Sequence, residues 1–387
     1  MLKKYLFISN SNKPTVEQSN SREPIRMDNV KKPCLDTAHE MGYEIWLGVN
    51  RNNPDSLTTE APYPVHLFDS HTYRSLTAWK DNFTAYQNMM EVLRQGDFDV
   101  IHCNTPIGGV IGRLCGRKTK VRKIVYTAHG FHFYKGAPFF NRTVLKFAEK
   151  LMARSTDAIL TMNSEDFEAA KKFKLRKGGK VYYVPGVGID TAAYRKTSTD
   201  HQELRTSLGF GPDDIVCISL GDLIPRKNYD TAIEAISKCS SNVHYCICGQ
   251  GPELESLKKL SDELNVSDRV HFLGFRTDVK DLLHAADIFL FTTKQEGMPR
   301  SMMEAMASGL PCLASRIRGN VDLLMEGEGG YLLHVSDAEG FGQRIQQLAD
   351  DKDLRRTMGQ NNLERIKEFD VSKVKKEIEK IYAEVFA

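Results

Sequence analysis

No stretch of this chain is apolar for anything near the ~18 residues that a membrane-crossing helix needs. The apolar run at its N-terminus, Tyr5 to Ile8, is too short for the core of a signal peptide. These absences lead us to expect a cytoplasmic protein, one that can work peripherally on the inner face of the cell membrane. Eight cysteines stand at 34, 103, 115, 217, 239, 246, 248 and 312. None forms a Cys-x2-Cys pair, so zinc and redox readings have no pattern to rest on. Cys246 and Cys248 read as reduced side chains on one face of a strand. A Gly-x-Gly-x-x-Gly fingerprint is also missing where a dinucleotide-binding oxidoreductase would carry it, because Ser9-Asn-Ser-Asn-Lys-Pro14 follows the first strand.

Charge of one sign is lacking over the whole chain, with 53 Lys and Arg against 50 Asp and Glu, but the distribution is uneven. Residues 1–190 hold 28 basic and 19 acidic side chains, and the block from Val100 to Ala148 has nine basic residues and no acidic one. Arg113, Arg117, Lys118, Lys120, Arg122 and Lys123 crowd its middle. Such a block can be a solvated face, a nucleic-acid patch or a contact for anionic lipid headgroups. Interleaved nucleic-acid recognition motifs are lacking and the second half is acidic, so no nucleic-acid partner is expected.

What is present is alternation. At 387 residues the chain can bury two ordinary cores. Short β-branched or aromatic runs alternate with longer amphipathic stretches, the pattern of parallel sheets covered by helices. Strands are predicted near Tyr5–Ser9, Glu44–Val49, Val100–Asn104, Lys123–Ala128, Ala158–Met162 and Val181–Val184. A second set is predicted near Ile215–Leu220, His244–Cys248, Val270–Leu273, Ile288–Phe291, Cys312–Ala314 and Gly330–Leu333. The polar stretch Asn10 to Asn29 reads as a long mobile loop. A proline and two glycines near Pro185-Gly-Val-Gly188 mark the break between halves. The expected organisation is an N-terminal domain at 1–188, a linker at 189–200, a second domain at 201–370 and a terminal amphipathic helix at 371–387.

In open α/β sheets, ligands sit beyond the carboxyl ends of the strands, so the turns there hold the candidate residues. The richest is Glu296-Gly-Met-Pro-Arg-Ser-Met-Met-Glu304-Ala-Met-Ala-Ser-Gly309-Leu-Pro311. Pro299 marks a helix start, and Gly309 with Pro311 its stop. Backbone N–H groups from Met298 to Ser301 then favour a phosphate, with Arg300 adding charge. Read without context, the same stretch is equally an ordinary amphipathic helix, with Glu296 an N-terminal charge favoured by the dipole and Glu304 facing solvent. Gly221-Asp-Leu-Ile-Pro-Arg226-Lys227-Asn228 presents two cations that could neutralise a diphosphate or simply face water. Gly249-Gln-Gly251-Pro opens a helix, and Leu273-Gly274-Phe275-Arg276 follows the next strand. In the first half, Tyr126-Thr-Ala-His129-Gly-Phe-His132 places a histidine at a strand end, beside a glycine that permits close approach. The helix from Pro138 to Arg154 is apolar and basic. It suits core packing, or a membrane surface if Phe139, Phe140, Leu145 and Phe147 are exposed.

Glu-x7-Glu followed by Ala-Met-Ala-x-Gly-x-Pro resembles the signature of family 4 retaining glycosyltransferases of the GT-B fold. The string from Tyr126 to Gly136 resembles the subgroup that serves bacterial capsular and exopolysaccharide synthesis. The resemblance implies two Rossmann-like parallel-sheet domains facing each other across a cleft, with the terminal helix returning to the first. It implies a metal-independent hexosyltransferase that uses a nucleotide diphosphate sugar, a UDP-sugar above all, as substrate and needs no cofactor. A hexose or N-acetylhexosamine would pass to a lipid-linked saccharide acceptor, with the basic block on an anionic membrane surface. Glu304 would bind the ribose. Glu296 and His129 would act at the sugar, and Lys227 would hold the diphosphate. Gly249, Gly251, Gly274, Phe275, Arg276, Met298, Pro299 and Arg300 would complete the nucleotide-sugar site. Asp222 stands where the family carries arginine and Asn228 where it carries glycine, so Arg226 is expected to replace the missing cation. Asp97-Phe-Asp99 has the spacing of metal-dependent sugar transferases of another fold, yet it precedes a strand, and no metal is expected. A sugar-nucleotide epimerase of the same fold, or a partner subunit without catalysis, would share much of this pattern.

Overall fold

A computed structural model of the chain describes every residue except Met1, Leu76, Thr105 and 197–199. Among the described residues, thirteen strands form two parallel sheets of seven and six strands. The chain divides into two compact units, one made of residues 1–188 with 371–387 and the other of residues 189–370.

The first unit holds β1 (Lys3–Ile8), β2 (Tyr43–Val49), β3 (Val65–Asp69), β4 (Val100–Asn104), β5 (Lys123–Ala128), β6 (Ala158–Thr161) and β7 (Lys180–Tyr183). Their order, β3-β2-β1-β4-β5-β6-β7, reverses direction between β1 and β4. Successive side chains alternate between two cores. Leu6, Ile8, Ile101 and Cys103 join one face, whereas Tyr5, Phe7 and Val100 join the other. Burial on both faces explains why β1 reads as a continuous apolar run.

Two expectations are corrected in this unit. Strand β3 escaped the sequence reading because it is a five-residue edge strand that follows Pro62 and Pro64 and includes a polar His66. The stretch Asn10–Asn29 is not one structureless loop. It contains the short helix Val16–Asn20, capped reciprocally by Thr15 and Gln18, and is tied down by bridges from Ser11 to Tyr73 and from Ile25 to Thr59.

The helix Val371–Phe386 adds Val374, Ile378, Ile381, Tyr382, Val385 and Phe386 to the core behind β1. Its Tyr382 hydroxyl lies 2.6 Å from the Tyr5 hydroxyl and 2.6 Å from His102 Nδ1, while His102 Nε2 meets Thr127 Oγ1 at 2.7 Å. This network lies within the core, where each polar atom needs such a partner. Burial, with a smaller push from His129, drives the pKa of His102 down to about 3.

The second unit holds β8 (Ile215–Leu220), β9 (Val243–Cys248), β10 (Val270–Gly274), β11 (Ile288–Phe291), β12 (Cys312–Ser315) and β13 (Gly330–Leu333). Its order is β10-β9-β8-β11-β12-β13, with the reversal between β8 and β11. Cys246 and Cys248 do share one core while Tyr245 and Ile247 face the other, and all eight cysteines are buried free thiols. Part of the span read as a linker is structured. Ile189 is buried and bridges to Asp370, the Thr191 hydroxyl donates to Asp370 Oδ2, and Asp190 caps a short helix Thr191–Tyr194. Residues 197–199 of that span lie outside the described residues.

Candidate functional site

The reversal between β8 and β11 splays the turns that follow them, and such switch points are where open α/β sheets bind ligands. The turn after β8 begins at Gly221, passes through a single 3-10 turn Pro225–Lys227, and leaves through Asn228 at φ +57°. That left-handed conformation accounts for asparagine where glycine would also serve. Asn228 is buried, and its amide donates to the carbonyls of Thr292 and Val335, which locks this turn to the one after β11.

The lock brings Arg226, Lys227 and Glu296 together. Glu296 Oε1 accepts from Arg226 at 2.8 Å, from Lys227 Nζ at 2.9 Å and from the Thr293 hydroxyl at 3.1 Å. Glu296 and Lys227 side chains are each 13% exposed, whereas Arg226 is 40% exposed. Lys227 also lies over the Phe291 ring, 4.9 Å from its centroid. Glu296 is thus a firmly held carboxylate, the counter-ion of both cations.

The helix expected from Pro299 runs from Arg300 to Ala307, with Pro299 as the capping residue just outside it. Its capping residue, Pro299, makes no side-chain capping hydrogen bond. The leading N–H groups are thus open to an acceptor from outside, and the helix dipole favours an anion there. Glu304, one turn in and 13% exposed, accepts from Arg300 Nε at 2.9 Å and from the Tyr194 hydroxyl at 2.8 Å. Burial and then the Glu304 charge raise the Tyr194 pKa, so Tyr194 is a hydroxyl donor at neutral pH. The Arg300 side chain, expected to add charge toward a phosphate, is instead folded back onto Glu304.

Gly249 and Gly251 have a packing reason. A Cβ at Gly249 would stand 1.9 Å from the Gly221 carbonyl oxygen, and one at Gly251 would stand 2.3 Å from that of Leu223. The turns after β8 and β9 therefore touch backbone to backbone. Gly249 N–H donates to the Gly274 carbonyl, which joins the turn after β10 to the set. Gly274 is left-handed at φ +66°, Phe275 is 73% exposed at the rim, and Arg276 is clamped by Asp278 through Nε at 2.8 Å. Met298 packs against the core beneath the helix.

Three contributors were not seen in the sequence. Thr293 and Tyr194 hold the two glutamates, and Arg318, 6% exposed, donates from Nε to the Glu296 carbonyl at 3.0 Å. Gly319 next to it sits at φ +79°, where a Cβ would meet the Gly297 oxygen at 2.4 Å. The pair Arg318-Gly319 shortly after the strand Cys312–Ser315 was the available signal.

In the first unit His129 follows β5 directly. Its Nε2 lies 2.9 Å from Asn104 Oδ1, and it borders a cavity of about 640 Å³ into which Ser9, Asn10, Arg26, Arg51 and Arg74 also project. Burial, reinforced by the Arg74 charge, lowers its pKa to about 4. At neutral pH the ring is uncharged and available for hydrogen bonding. Asp99 is structural, because its Oδ2 accepts from the Lys4 N–H at the opposite end of the sheet. Arg113, counted in the basic block, is fully buried, paired with Glu149 at 2.9 Å and stacked on Tyr126. No surface can use it.

Residues 200–365 match the family model for glycosyl transferases group 1, and residues 29–163 match that for glycosyl transferase 4-like domains. The chain is 31% identical over 350 residues to EpsD of Bacillus subtilis (strain 168), a protein named as a glycosyltransferase, covering 89% of this chain and 90% of that one. It is 28% identical over 273 residues to the UDP-Gal:alpha-D-GlcNAc-diphosphoundecaprenol alpha-1,3-galactosyltransferase of Escherichia coli, covering 69% and 70% of the two chains. Among solved structures, HepE of Anabaena in complex with UDP and glucose superposes with a TM-score of 0.76 at 20% identity, over 98% of this chain and 99% of that one.

Proposed function

Because the chain belongs to the family 4 glycosyltransferases of GT-B fold, we propose that it transfers a hexose or N-acetylhexosamine from a UDP-sugar to a lipid-linked saccharide, with retention of anomeric configuration and without a metal. The observation that carries the donor half is the convergence of Arg226, Lys227 and Glu296 at the β8/β11 switch, beside an uncapped helix start. A nucleoside diphosphate is the ligand whose charge suits that set. Its phosphates would take over Arg226, Lys227 and the N–H groups that lead the helix Arg300–Ala307. That arrangement neutralises the charge that builds on the leaving diphosphate as the sugar bond breaks, which is the part a metal ion plays in other transferases.

Glu304, already aligned by Tyr194, is assigned the ribose hydroxyls, and Phe275 the base. Glu296, once its cations turn to the diphosphate, would gain the freedom to accept from sugar hydroxyls. His129, neutral at working pH, is assigned to the transferred sugar or the acceptor hydroxyl. The UDP and the lipid-linked acceptor draw support from the ligand named for HepE and the acceptor named for the Escherichia coli relative. Support for work at a membrane surface comes from the same acceptor chemistry. Among the described residues no helix is long and apolar enough to cross a membrane.

The test is transfer from labelled UDP-sugars to a membrane lipid extract with a chelator present. Acceptor-dependent, chelator-insensitive incorporation supports the reading. A changed sugar nucleotide formed with no acceptor would replace it with epimerisation, and no turnover alongside intact nucleotide binding would point to a partner subunit.

A further inference from the structure

We propose that His284 is a positioning residue for the donor nucleotide, holding the Tyr194 backbone so that the Tyr194 hydroxyl aims Glu304 at the ribose. The inference rests on the donor reading and carries it to a side chain one step behind the site. Glu304 Oε1 has two donors, and they are unequal. Arg300 Nε reaches it at 2.9 Å from one turn earlier in the same helix, but the Arg300 side chain is 59% exposed and shares that bond with water. Tyr194 comes from a separate element, packs against the core and donates at 2.8 Å. The direction in which Glu304 points is therefore set by where Tyr194 stands.

Tyr194 ends a helix of four residues, Thr191–Tyr194, too short to hold its own shape. It is fastened from outside at both ends. At its start the Asp190 carboxylate accepts from the Ala193 N–H at 2.9 Å, and the Thr191 hydroxyl donates to Asp370. At its end, where a helix leaves carbonyls unpaired, the Tyr194 carbonyl lies 2.6 Å from His284 Nε2. A carbonyl can only accept, so the His284 proton sits on Nε2. Lys280, one turn before His284 in the helix Val279–Ala285, reaches the Ala193 carbonyl from Nζ at a longer 3.4 Å. The His284 ring is also fixed in plane, for it stacks on His201 with centroids 5.2 Å apart and planes 4° from parallel. Burial above all lowers its pKa from the ordinary 6.5, so the ring is neutral at neutral pH and its single N–H is the one that meets Tyr194. His201, His284, Tyr194 and Glu304 thus form one line of contacts within the second unit.

The test measures UDP affinity, donor KM and kcat in the natural protein and in His284→Asn, His284→Gln and Tyr194→Phe, with thermal unfolding as the control for folding. The glutamine amide can place its N–H where Nε2 stands, whereas the shorter asparagine amide reaches only the Nδ1 position. His284→Asn should weaken UDP binding and raise the donor KM about five-fold with kcat little changed, because a ribose contact is made alike before and during transfer. Tyr194→Phe should show the same loss, and His284→Asn should add nothing to it in the double variant. His284→Gln should restore natural affinity. Dideoxy-UDP, which lacks both ribose hydroxyls, should bind the natural protein and His284→Asn equally. Natural UDP affinity in His284→Asn, no rescue by His284→Gln, or an equal loss for dideoxy-UDP would overturn the proposal, since the ring would then be only part of the packing. Those outcomes leave the donor reading standing; UDP bound equally by Glu304→Ala and the natural protein would remove that reading and this inference with it.

Discussion

Glu296→Gln changes one oxygen to an amide and little else, so its consequences can be worked out from the geometry. Oε1 takes two charge-assisted hydrogen bonds, from Arg226 and Lys227, and a neutral one from Thr293. Arg226, at 40% exposed, is screened by water and loses less. Lys227 is 13% exposed and would be left as a poorly compensated cation, at a cost of about 1–3 kcal/mol. The empty variant should therefore unfold at lower temperature. A bound nucleoside diphosphate restores a counter-ion at the same place, and it no longer competes with the carboxylate for the two cations. UDP affinity should be equal to or higher than that of the natural protein, and UDP should recover most of the lost stability. Turnover should nevertheless fall, by about 100-fold or more, if Glu296 acts on the sugar in the transition state. Calorimetric UDP titration, thermal unfolding with and without UDP, and steady-state rates measure the three quantities. A parallel large loss of UDP affinity and turnover would refute the reasoning, because Glu296 would then be part of what holds the nucleotide.

Two further predictions concern the frame around the site. Gly249→Ala puts a methyl group 1.9 Å from the Gly221 oxygen, so it should destabilise the second unit by about 1–3 kcal/mol and weaken UDP binding by displacing the turn that carries Lys227; a thermal melt and a titration with natural behaviour would remove the proposed contact between turns. The second concerns acid. His129 and His102 are held to about 4 and about 3 against an ordinary 6.5. Their folded forms refuse protons that the unfolded chain accepts, so stability is full above about pH 6.5 and falls as pH drops from there toward 4. His129 alone contributes about 3 kcal/mol of this loss. Urea unfolding across that window should show the slope, smaller in His129→Gln, while a flat profile would contradict the neutral assignment of both rings.

What was legible in the sequence was what is local. The β1 run and the Ile215–Leu220 strand declare themselves because both faces of each sheet are covered, leaving unbroken apolar stretches. Strand β3 stayed hidden because edge pairing with β2 compensates for a short, proline-flanked segment with a polar residue. Glu296 and Glu304 stood out from their spacing in one helix entrance, and Arg226 and Lys227 from their place after a strand. Their partners did not. Tyr194 reaches Glu304 across 110 positions, and Arg318 reaches back 22 positions to the Glu296 carbonyl. Such long-range contacts follow from packing and leave no periodic trace. The fate of each charge was equally invisible: the run from Arg113 to Lys123 reads as one block, yet Arg113 lies in the core. Arg300 looks free to meet a phosphate, yet its Nε donates to Glu304.

The most direct test of the central claim, a nucleotide-sugar donor site in the second unit, is thermal unfolding with UDP-, GDP-, ADP- and dTDP-sugars, in the natural protein and in Glu304→Ala. A ligand at 100 times its dissociation constant stabilises the native state by about 2.7 kcal/mol. The account predicts a clear rise in Tm with UDP-sugars that is lost in the variant. No rise with any nucleotide, or a rise of the same size in Glu304→Ala, would contradict it.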